Sequence, residues 1–491
     1  MQRLKKYLSP LALVGFAGLI SACHAPNSAS SAQDAIDNDM AAQQQNIVMI
    51  IIDDLRPVLG AYGDKNAHTP NIDAFAQQGV SFTRAYANVP VCGASRASLL
   101  TGLRPTPTRF INYKAVAEKD APGAKSLPQV LRESGYYTMG IGKIFHNGKD
   151  LAEESWSEKL QSSGLSHATR LNPDSENYLK PNKKNPKQVK GPWYEIADVG
   201  DTDYPDGKVK QKALIALEKL ANQKQPFFLS VGFIRPHLPF NAPKKYYDLH
   251  PESKFTPFFH RDNPKNAPAS LKGSGEIHSY HFKEYEFNSD QFHKASVRGY
   301  YASVSYIDAL VGDVIQQIDQ LGLRDNTTII LTSDHGFNLG EHNFWGKHTV
   351  LDTALRVPLI VAGPNIKKNV STDALVELLD IFPTVSEITQ VSPPDDIAGE
   401  SFQPLLKDPS LPHKKYLYSR FKAGDSIISD DFIFSSYSTQ DENTREEMLY
   451  DLKADPHETV NVVSEQQYQA KAKQLREKLT DCMSQQHCQT H

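Results

Sequence analysis

The sequence has no excess of positive charge. Its 491 residues include 53 lysines and arginines against 57 aspartates and glutamates, a formal net charge of −4. This balance excludes the broad basic surface typical of nucleic-acid-binding proteins, so an anionic substrate has to be captured by a local cationic pocket. The chain also lacks internal repeats. Its length and its 39% hydrophobic content predict one large domain with an ample core and a second, smaller one.

The N-terminal apolar run lacks the length of a membrane span. Basic residues begin the chain, and the apolar stretch from Leu11 to Ile20 is much shorter than the roughly 20 residues that a stable span needs. Residues 1–22 are therefore predicted to be a targeting segment. The sequence from Leu19 to Cys23 resembles a bacterial lipobox, in which the cysteine becomes the lipid-bearing first residue of the mature chain. An ordinary cleaved signal peptide is the alternative.

The lipobox resemblance implies a location in the cell envelope. His24 is not the aspartate expected of a lipoprotein retained in the inner membrane. The resemblance therefore implies a protein anchored to the outer membrane through lipid on Cys23, either periplasmic or surface-exposed. Residues 23–45 are rich in Ser, Ala, Gln and Asn, a composition typical of a flexible tether. Contact with a membrane is expected only through this anchor.

Two runs that are predicted to be strands end in acidic residues. Residues 46–52 precede Asp53 and Asp54, and residues 327–333 precede Asp334 and His335. Runs rich in Ile and Val are typical of central strands in a parallel sheet that is buried on both faces. Open α/β sheets build their sites at the carboxyl ends of such strands. We therefore expect these side chains to lie close together.

The acidic strand ends predict a metal site. Adjacent carboxylates at the tip of a buried strand are costly unless a cation neutralises them, although a solvated pair of acids is the alternative. Three carboxylates with few nitrogen ligands suit a hard divalent cation, Ca²⁺ rather than Mg²⁺, whereas zinc prefers more His or Cys.

The stretch VCGASRASLLTG, residues 91–102, predicts a second functional element. Cys92 stands at the start of a predicted helix, where free backbone N–H groups favour an anion and activate a thiolate. Arg96 follows one turn later on the same helix face, from which its guanidinium could donate two hydrogen bonds to a tetrahedral anion. The alternative is a buried structural cysteine beside a surface arginine.

This stretch resembles the type I sulfatase signature, C-x-P/A-x-R with a downstream TG. In that family the cysteine is oxidised before folding to formylglycine, whose hydrated aldehyde is the nucleophile. Ala94 stands where proline is commonest. NIVMIIIDDLR, TPNIDAFAQQGVSFTRAYA and TSDHGFNLGEHNFWGKH are also similar to sulfatase segments. Most members have asparagine at the position of His335; histidine there, together with RPHLPF and GEHNFWGKH, resembles the iduronate-2-sulfatase branch.

The resemblance covers residues 46–385, with a weaker similarity at LYDLKADPHETVNV, residues 449–462. It implies an α/β, alkaline-phosphatase-like fold in which helices flank a large, mostly parallel central sheet. The catalytic domain is predicted at 46–385. A smaller C-terminal α+β subdomain with a short antiparallel sheet is predicted at 386–491, after the linker that Pro393 and Pro394 mark.

The resemblance also implies the site residues. The predicted Ca²⁺ ligands are Asp53, Asp54, Asp334, His335 and the formylglycine made from Cys92. The predicted catalytic set is Cys92, Arg96, Lys143, His146, His237 and Lys347. In this hypothesis His237, beside Lys347, protonates the leaving sugar alkoxide. Arg96 and Lys143 stabilise the sulfate oxygens, and His146 helps to deprotonate the second hydroxyl of the aldehyde hydrate.

Four cysteines occur in the whole sequence. If Cys23 carries lipid and Cys92 belongs to the site, only Cys482 and Cys488 remain for a disulfide in an oxidising compartment. Two free thiols are the alternative.

The predicted partners are a formylglycine-generating maturation enzyme and a sulfated oligosaccharide or polysaccharide. The branch resemblance suggests exo action on a 2-O-sulfated fragment, and the envelope location suggests algal polysaccharides such as ulvan or carrageenan. Arg235 is a candidate for contact with the sugar ring. Trp345 is predicted either to stack on the sugar or to be a buried core residue. The alternative functions are a phosphate or phosphonate ester hydrolase on the same scaffold and a catalytically silent glycan-binding lipoprotein.

Overall fold

The computed structural model describes residues 44–179, 190–257, 260–439, 441, 444–484 and 488. The predicted targeting segment, the lipobox at Cys23 and all but the last two residues of the predicted tether lie outside these residues. Among the described residues, none of the helices combines the length and the hydrophobicity that crossing a membrane requires.

The strands of the described residues are β1 (Asn46–Ile52), β2 (Val80–Tyr86), β3 (Tyr137–Gly142), β4 (Tyr194–Ala197), β5 (Phe227–Phe233), β6 (Phe240–Pro243), β7 (Thr327–Ser333), β8 (Asn338–Leu339), β9 (Trp345–Gly346), β10 (Arg356–Ala362), β11 (Val370–Thr372), β12 (Val376–Glu377), β13 (Leu417–Phe421), β14 (Gly424–Ile428), β15 (Phe432–Ser438) and β16 (Arg445–Asp451).

The α-helices are α1 (Pro70–Ala76), α2 (Cys92–Thr101), α3 (Ala117–Asp120), α4 (Leu127–Glu133), α5 (Ala152–Ser155), α6 (Pro205–Ala221), α7 (Lys244–Asp248), α8 (Asp290–Gln320), α9 (Asp352–Leu355), α10 (Ile381–Thr389), α11 (Gln403–Lys407) and α12 (Gln469–Ser484).

The central sheet is built around β1. Its strand order is β11-β2-β10-β7-β1-β5-β3, with β12 also paired to β2. Strand β1 lies parallel to both neighbours, β5 and β7, and β10 is the antiparallel member, paired with β2 and β7. The predicted large, mostly parallel sheet is therefore confirmed.

Strand β1 is buried on both faces, as its unbroken apolar sequence predicts. Ile47, Met49 and Ile51 pack into one hydrophobic core, which includes side chains of α2 and α10. The alternate residues Val48, Ile50 and Ile52 pack into the opposite core, with side chains of α6 and α8. Because successive side chains of a strand point to opposite faces, both faces are covered by helices and the strand needs apolar residues at every position.

The long helix α8 begins earlier than the sequence pattern predicts. The pattern places its start at Arg298 and its end near Leu321, but the helix spans Asp290–Gln320. The Ser289 hydroxyl accepts a hydrogen bond from the Phe292 amide, 3.2 Å away, and caps the first turn. This start was missed because the segment before it is rich in His, Phe and Tyr without clear periodicity, which hides the capping serine. The end of the helix was predicted correctly to within one residue.

The C-terminal part forms a separate antiparallel sheet of β13, β14, β15 and β16 in sequential order. Side chains of these strands pack with Ala472, Leu475 and Leu479 of helix α12. Cys482 and Cys488 are joined by a disulfide, the first of the two alternatives drawn from the sequence. The predicted short antiparallel sheet is confirmed.

Candidate active site

The acidic residues of two strands meet at one edge of the central sheet. Ile52 and Ser333 are register partners at the ends of β1 and β7, so Asp53 and Asp334 follow from adjacent positions. The Asp54 amide donates to Asp334 Oδ1 at 3.1 Å, and all three carboxylates are fully buried. Register alone therefore brings together residues that are far apart in the sequence.

Helix α2 begins directly at this edge. Cys92 is its first residue and is 2% exposed. The Cys92 Sγ atom lies 3.2 Å from His335 Nε2 and 3.7 Å from Asp54 Oδ1. The thiol thus stands at a helix N-terminus, where unpaired N–H groups and the helix dipole favour negative charge, and it contacts the predicted metal ligands.

Arg96 connects two carboxylates of this cluster through hydrogen bonds. Its Nε donates to Asp334 Oδ2 at 2.8 Å, and a terminal nitrogen donates to Asp53 Oδ1 at 3.1 Å. The other terminal nitrogen donates to the carbonyl oxygens of Lys143 and Ile144. The side chain is fully buried. In this structure the guanidinium therefore orients two carboxylates and the loop after β3; its contact with a bound anion stays a prediction.

Two lysines pair with the carboxylates from the cavity side. Lys143 forms an ion pair with Asp53 Oδ2, and Lys347 Nζ lies 2.9 Å from Asp54 Oδ2. Burial opposes ionisation of Asp53, but the charges of Lys143 and Arg96 outweigh it and hold the pKa of Asp53 well below its usual range. Burial dominates at Asp54 and raises the pKa of that carboxyl well above its usual value, despite Lys347.

Glu276 is a member of the site that the sequence did not reveal. Its Oε2 lies 2.9 Å from Lys347 Nζ, and its Oε1 lies 3.4 Å from His237 Nε2. Burial would raise the pKa of Glu276, but Lys347 and His237 keep it well below its usual range. The residue lies in the aromatic segment 250–295, where nothing in the local pattern distinguishes it from a surface glutamate.

His237 is held by a network that includes Arg235. Arg235 is 1% exposed, and its guanidinium donates to the carbonyl oxygen of His237 at 2.9 Å and to that of His167 at 2.5 Å. In this structure both terminal nitrogens of Arg235 bind the loop, and the suggested contact of Arg235 with a sugar stays a prediction. Burial and the neighbouring Lys347 hold the pKa of His237 well below its usual value.

Trp345 is a core residue and not a sugar platform. It is 1% exposed, donates from Nε1 to Asn288 Oδ1 at 2.9 Å and packs edge-on against Phe292. The stacking hypothesis is therefore wrong and the core alternative is correct. The large apolar ring is better stabilised within the core formed with helix α8 than in contact with water.

These groups face one cavity of about 820 Å³. Six of the predicted site residues line it, namely Asp53, Cys92, Lys143, His146, His237 and Lys347. The remaining predicted residues lie outside its lining and are fully buried, namely Asp54, Arg96, Asp334 and His335. The cavity therefore combines a buried anionic floor with cationic and imidazole side chains above it.

The donor set fits a hard divalent cation. Ligand atoms of Asp53, Asp54, Cys92 and His237 lie within 4.8 Å of one another, and so do those of Cys92, Asp334 and His335. Burial lowers the pKa of His335, yet Asp334, Cys92 and Asp54 together raise it to about 10. The cluster thus attracts a proton where a cation would sit. Three carboxylates and one imidazole match the oxygen-rich coordination of Ca²⁺ better than that of zinc.

Comparison with known proteins provides evidence about the family of this chain that does not depend on the geometry of the site. The family model described as Sulfatase matches residues 45–391, and the model described as N-sulphoglucosamine sulphohydrolase, C-terminal, matches residues 340–485. Iduronate 2-sulfatase of Mus musculus is 33% identical over 415 residues, which cover 75% of this chain and 73% of the mouse protein.

Two further comparisons cover more of the chain. A sulfatase of Formosa agariphila is 31% identical over 441 residues, covering 88% of this chain and 85% of that protein. A solved structure of a protein in complex with its substrate D-glucosamine-2-N,6-O-disulfate aligns with a TM-score of 0.70 at 22% identity, covering 90% of this chain and 98% of that one. At this identity the structural match shows a shared fold.

Proposed function

Since this chain belongs to the sulfatase family and is a sulfuric ester hydrolase, we propose that it removes sulfate from sulfated glycans, with Cys92 converted to formylglycine and with Ca²⁺ bound. One observation carries the proposal. Cys92, at the first position of α2, meets the acidic ends of β1 and β7 at the floor of a cavity lined by Lys143, His237 and Lys347.

The proposed cofactors fit the residues around Cys92. Asp53, Asp54, Asp334 and His335 would hold Ca²⁺ together with residue 92. When present, the ion and the hydrated aldehyde supply a metal-activated hydroxyl as nucleophile. A separate maturation enzyme is required, because nothing in this site supplies the oxidant that converts a thiol into an aldehyde. The remaining tasks fall to the side chains of the chain itself.

Lys143 and Lys347 bind and orient the anionic ester. Both line the cavity, and each faces a buried carboxylate on its other side. Preorganised cations of this kind stabilise charge that develops on the sulfate oxygens without reorganisation at the moment of reaction. Arg96 keeps Asp53 and Asp334 in place beneath them.

His237 is the proposed proton donor to the leaving group. Its Nδ1 lies 2.5 Å from the carbonyl oxygen of Leu238, which fixes the ring and leaves Nε2 facing Glu276. As the bond between sulfur and the ester oxygen breaks, Nε2 gives its proton to that oxygen and the sugar leaves as an alcohol. A bound sulfate ester places negative charge beside the ring, and this raises the pKa of His237 toward pH 7, so that the ring can carry the proton that it donates. His146, which lines the same cavity, is the proposed base for sulfate release.

The proposed substrate is a 2-O-sulfated, uronic-acid-type or algal oligosaccharide attacked at its non-reducing end. The match to mouse iduronate 2-sulfatase and the GEHNFWGKH segment around Lys347 support this choice.

We further propose that residues 1–22 are removed and that lipid on Cys23 anchors the protein in the cell envelope. The proposed domains are a tether at 23–45, a catalytic domain at 46–385 and a C-terminal subdomain at 386–491.

The test is sulfate release from a panel of sulfated oligosaccharides by protein produced with a maturation enzyme. The panel contains 2-sulfated uronate fragments, ulvan and carrageenan fragments, 6-sulfated hexosamines and intact polymers. The control is Cys92→Ala. Release from 2-sulfated fragments supports the proposal, whereas faster release from 6-sulfated hexosamines refutes the 2-O assignment. Efficient hydrolysis of phosphate or phosphonate esters without sulfate release supports the alternative hydrolase. Binding without turnover by protein whose Cys92 remains a thiol after production with the maturation enzyme supports the silent glycan-binding alternative.

A further inference from the structure

A second cavity of about 340 Å³ adjoins the active-site cavity. One wall is formed by Asn112, Tyr113 and Lys114, and the opposite wall by Phe421 and Lys422. Val91, Tyr113 and His348 line both cavities. The two cavities are therefore neighbours, separated by three residues that lie close to Cys92 in the structure or the sequence.

The wall that contains Phe421 and Lys422 is attached to the segment before Cys92. The carbonyl oxygen of Asn88 accepts hydrogen bonds from the Arg420 amide and from the Ser419 hydroxyl, both at 3.0 Å. The Asn88 side-chain amide donates in turn to the carbonyl oxygen of Tyr418 at 3.0 Å. Strand β13, which leads into Phe421 and Lys422, is thus fixed relative to the nucleophile although it belongs to the C-terminal sheet.

The opposite wall touches the nucleophile helix. A Cβ atom on Gly93 would lie 2.1 Å from the carbonyl oxygen of Tyr113, so only glycine permits this close approach of the loop to the first turn of α2. His348, at the boundary, donates from its amide to the Pro90 carbonyl oxygen at 3.2 Å. Both walls are therefore held by contacts with residues within a few positions of Cys92. The position of the second cavity is fixed relative to the active site.

The lining combines exposed cations with aromatic rings. Lys114 and Lys422 are exposed, and no carboxylate of the described residues forms an ion pair with either. Lys114 Nζ lies 5.7 Å from the centre of the Tyr113 ring, and Lys422 Nζ lies 5.1 Å from that of Phe421. Tyr113 is 52% exposed. Phe421 is only 7% exposed and stacks on His348 with ring centres 5.0 Å apart, so Tyr113 is the ring that can contact the C–H face of a sugar, while the two ammonium groups attract its anionic substituents.

We propose that this second cavity is a subsite for the sugar next to the sulfate-bearing one, and that Lys114 and Lys422 select neighbours that carry a carboxylate or a sulfate. The inference rests on the proposed function, because it takes the first cavity to hold the sulfated sugar. A volume of this size lies at the lower end of the roughly 300–1,000 Å³ typical of ligand pockets. Because the chain carries a net negative charge, local cations such as Lys114 and Lys422 would favour the approach of an anionic polymer to this cavity.

The test compares the double variant Lys114→Gln/Lys422→Gln with wild type and with the charge-matched control Lys473→Gln/Lys478→Gln on helix α12. The substrates are three sulfated disaccharides that differ only in the neighbouring sugar: a uronate, the same sugar reduced to a primary alcohol, and the reduced sugar bearing a sulfate. We expect wild type and control to favour the anionic neighbours by about tenfold in kcat/KM, mainly through KM, and the double variant to lose that preference. Added salt should weaken it.

The outcomes separate this inference from the proposed function. If wild type releases sulfate but does not discriminate among the neighbours, or if the double variant keeps the wild-type preference, the subsite is wrong while the sulfatase activity stands. A binding arm covers the case of no turnover: calorimetric titration of the same disaccharides into Cys92→Ala protein with and without the two lysine changes. About tenfold weaker binding of anionic disaccharides by the lysine variant supports the subsite, and equal affinity overturns it.

Discussion

The Oε2 atom of Glu276 lies 2.9 Å from Nζ of Lys347. This ion pair connects the aromatic segment 250–295 to the GEHNFWGKH stretch, and the second carboxylate oxygen reaches His237. A single negative charge therefore lies between Lys347, which is proposed to bind the sulfate ester, and His237, which is proposed to protonate the leaving-group oxygen. Glu276 belongs to none of the motifs that the sequence displays.

Replacing Glu276 by Gln should slow the hydrolysis of alkyl sulfate esters more than that of aryl sulfate esters. The change keeps the shape but removes the charge that favours a protonated His237. General acid catalysis matters most for poor leaving groups, so kcat for a sugar ester should fall by about 10- to 100-fold and that for a nitrophenyl ester much less. Steady-state kinetics with a series of leaving groups measures the difference. The exposed Glu284→Gln is the control; equal losses on all esters would assign Glu276 a merely structural role.

Residue 92 should be formylglycine in active protein. Mass spectrometry of the peptide that spans residue 92 should detect the aldehyde or its hydrate after production in a competent bacterium. Cys92→Ser should retain little turnover in a host that does not modify serine, because serine offers no second hydroxyl for release of the sulfate. An unmodified thiol in fully active enzyme would contradict the proposed chemistry.

Removal of Ca²⁺ should abolish turnover and lower the melting temperature. A bound ion stabilises the folded state by mass action, and it neutralises the buried carboxylates Asp53, Asp54 and Asp334. Calorimetry before and after chelation measures the shift, and restored Ca²⁺ should reverse it. His335→Asn should be milder than Asp334→Ala, because Asp334 also accepts the hydrogen bond from Arg96. Verified metal-free enzyme with full activity would exclude the metal role.

Glu458→Gln should stabilise the protein at neutral pH. Glu458 is 2% exposed, and burial together with Asp352 raises its pKa well above the usual value. A carboxyl with a raised folded pKa binds its proton more tightly when folded, so its contribution is present below the unfolded pKa of about 4.3 and is lost as pH rises through the folded value. We expect the variant to exceed wild type by about 1 kcal/mol at pH 7.5.

The control for this prediction is to repeat the comparison at several pH values. The difference in melting temperature between Glu458→Gln and wild type should shrink as pH is lowered toward 4.5, because wild-type Glu458 then becomes neutral as well. Scanning calorimetry at several pH values provides the measurement. A constant difference across this range would show that the amide acts through packing rather than through charge.

The local sequence determined the strands and the nucleophile helix. The apolar run at residues 46–52 and the similar run at 327–333, in which Ile and Leu are flanked by Thr and Ser, predict buried strands, and the acids that follow predict where the chain concentrates charge. The start of α2 at Cys92 was also predicted correctly, from the helical run of small and apolar residues that follows the cysteine. Burial on both faces favours apolar residues along the whole of β1, whereas the equally buried β7 also contains threonine and serine.

Only the tertiary structure decided which side chains from different loops lie together in one site. Glu276 resembles any surface glutamate until its segment packs over Lys347. Trp345 is a core residue because Phe292 and His293, in the first turn of helix α8, pack against it. Lys114 and Lys422 meet at one cavity although neither belongs to a motif. Periodicity reports burial within an element, but contacts between irregular segments depend on packing between residues far apart in the chain, and no local pattern encodes those distances.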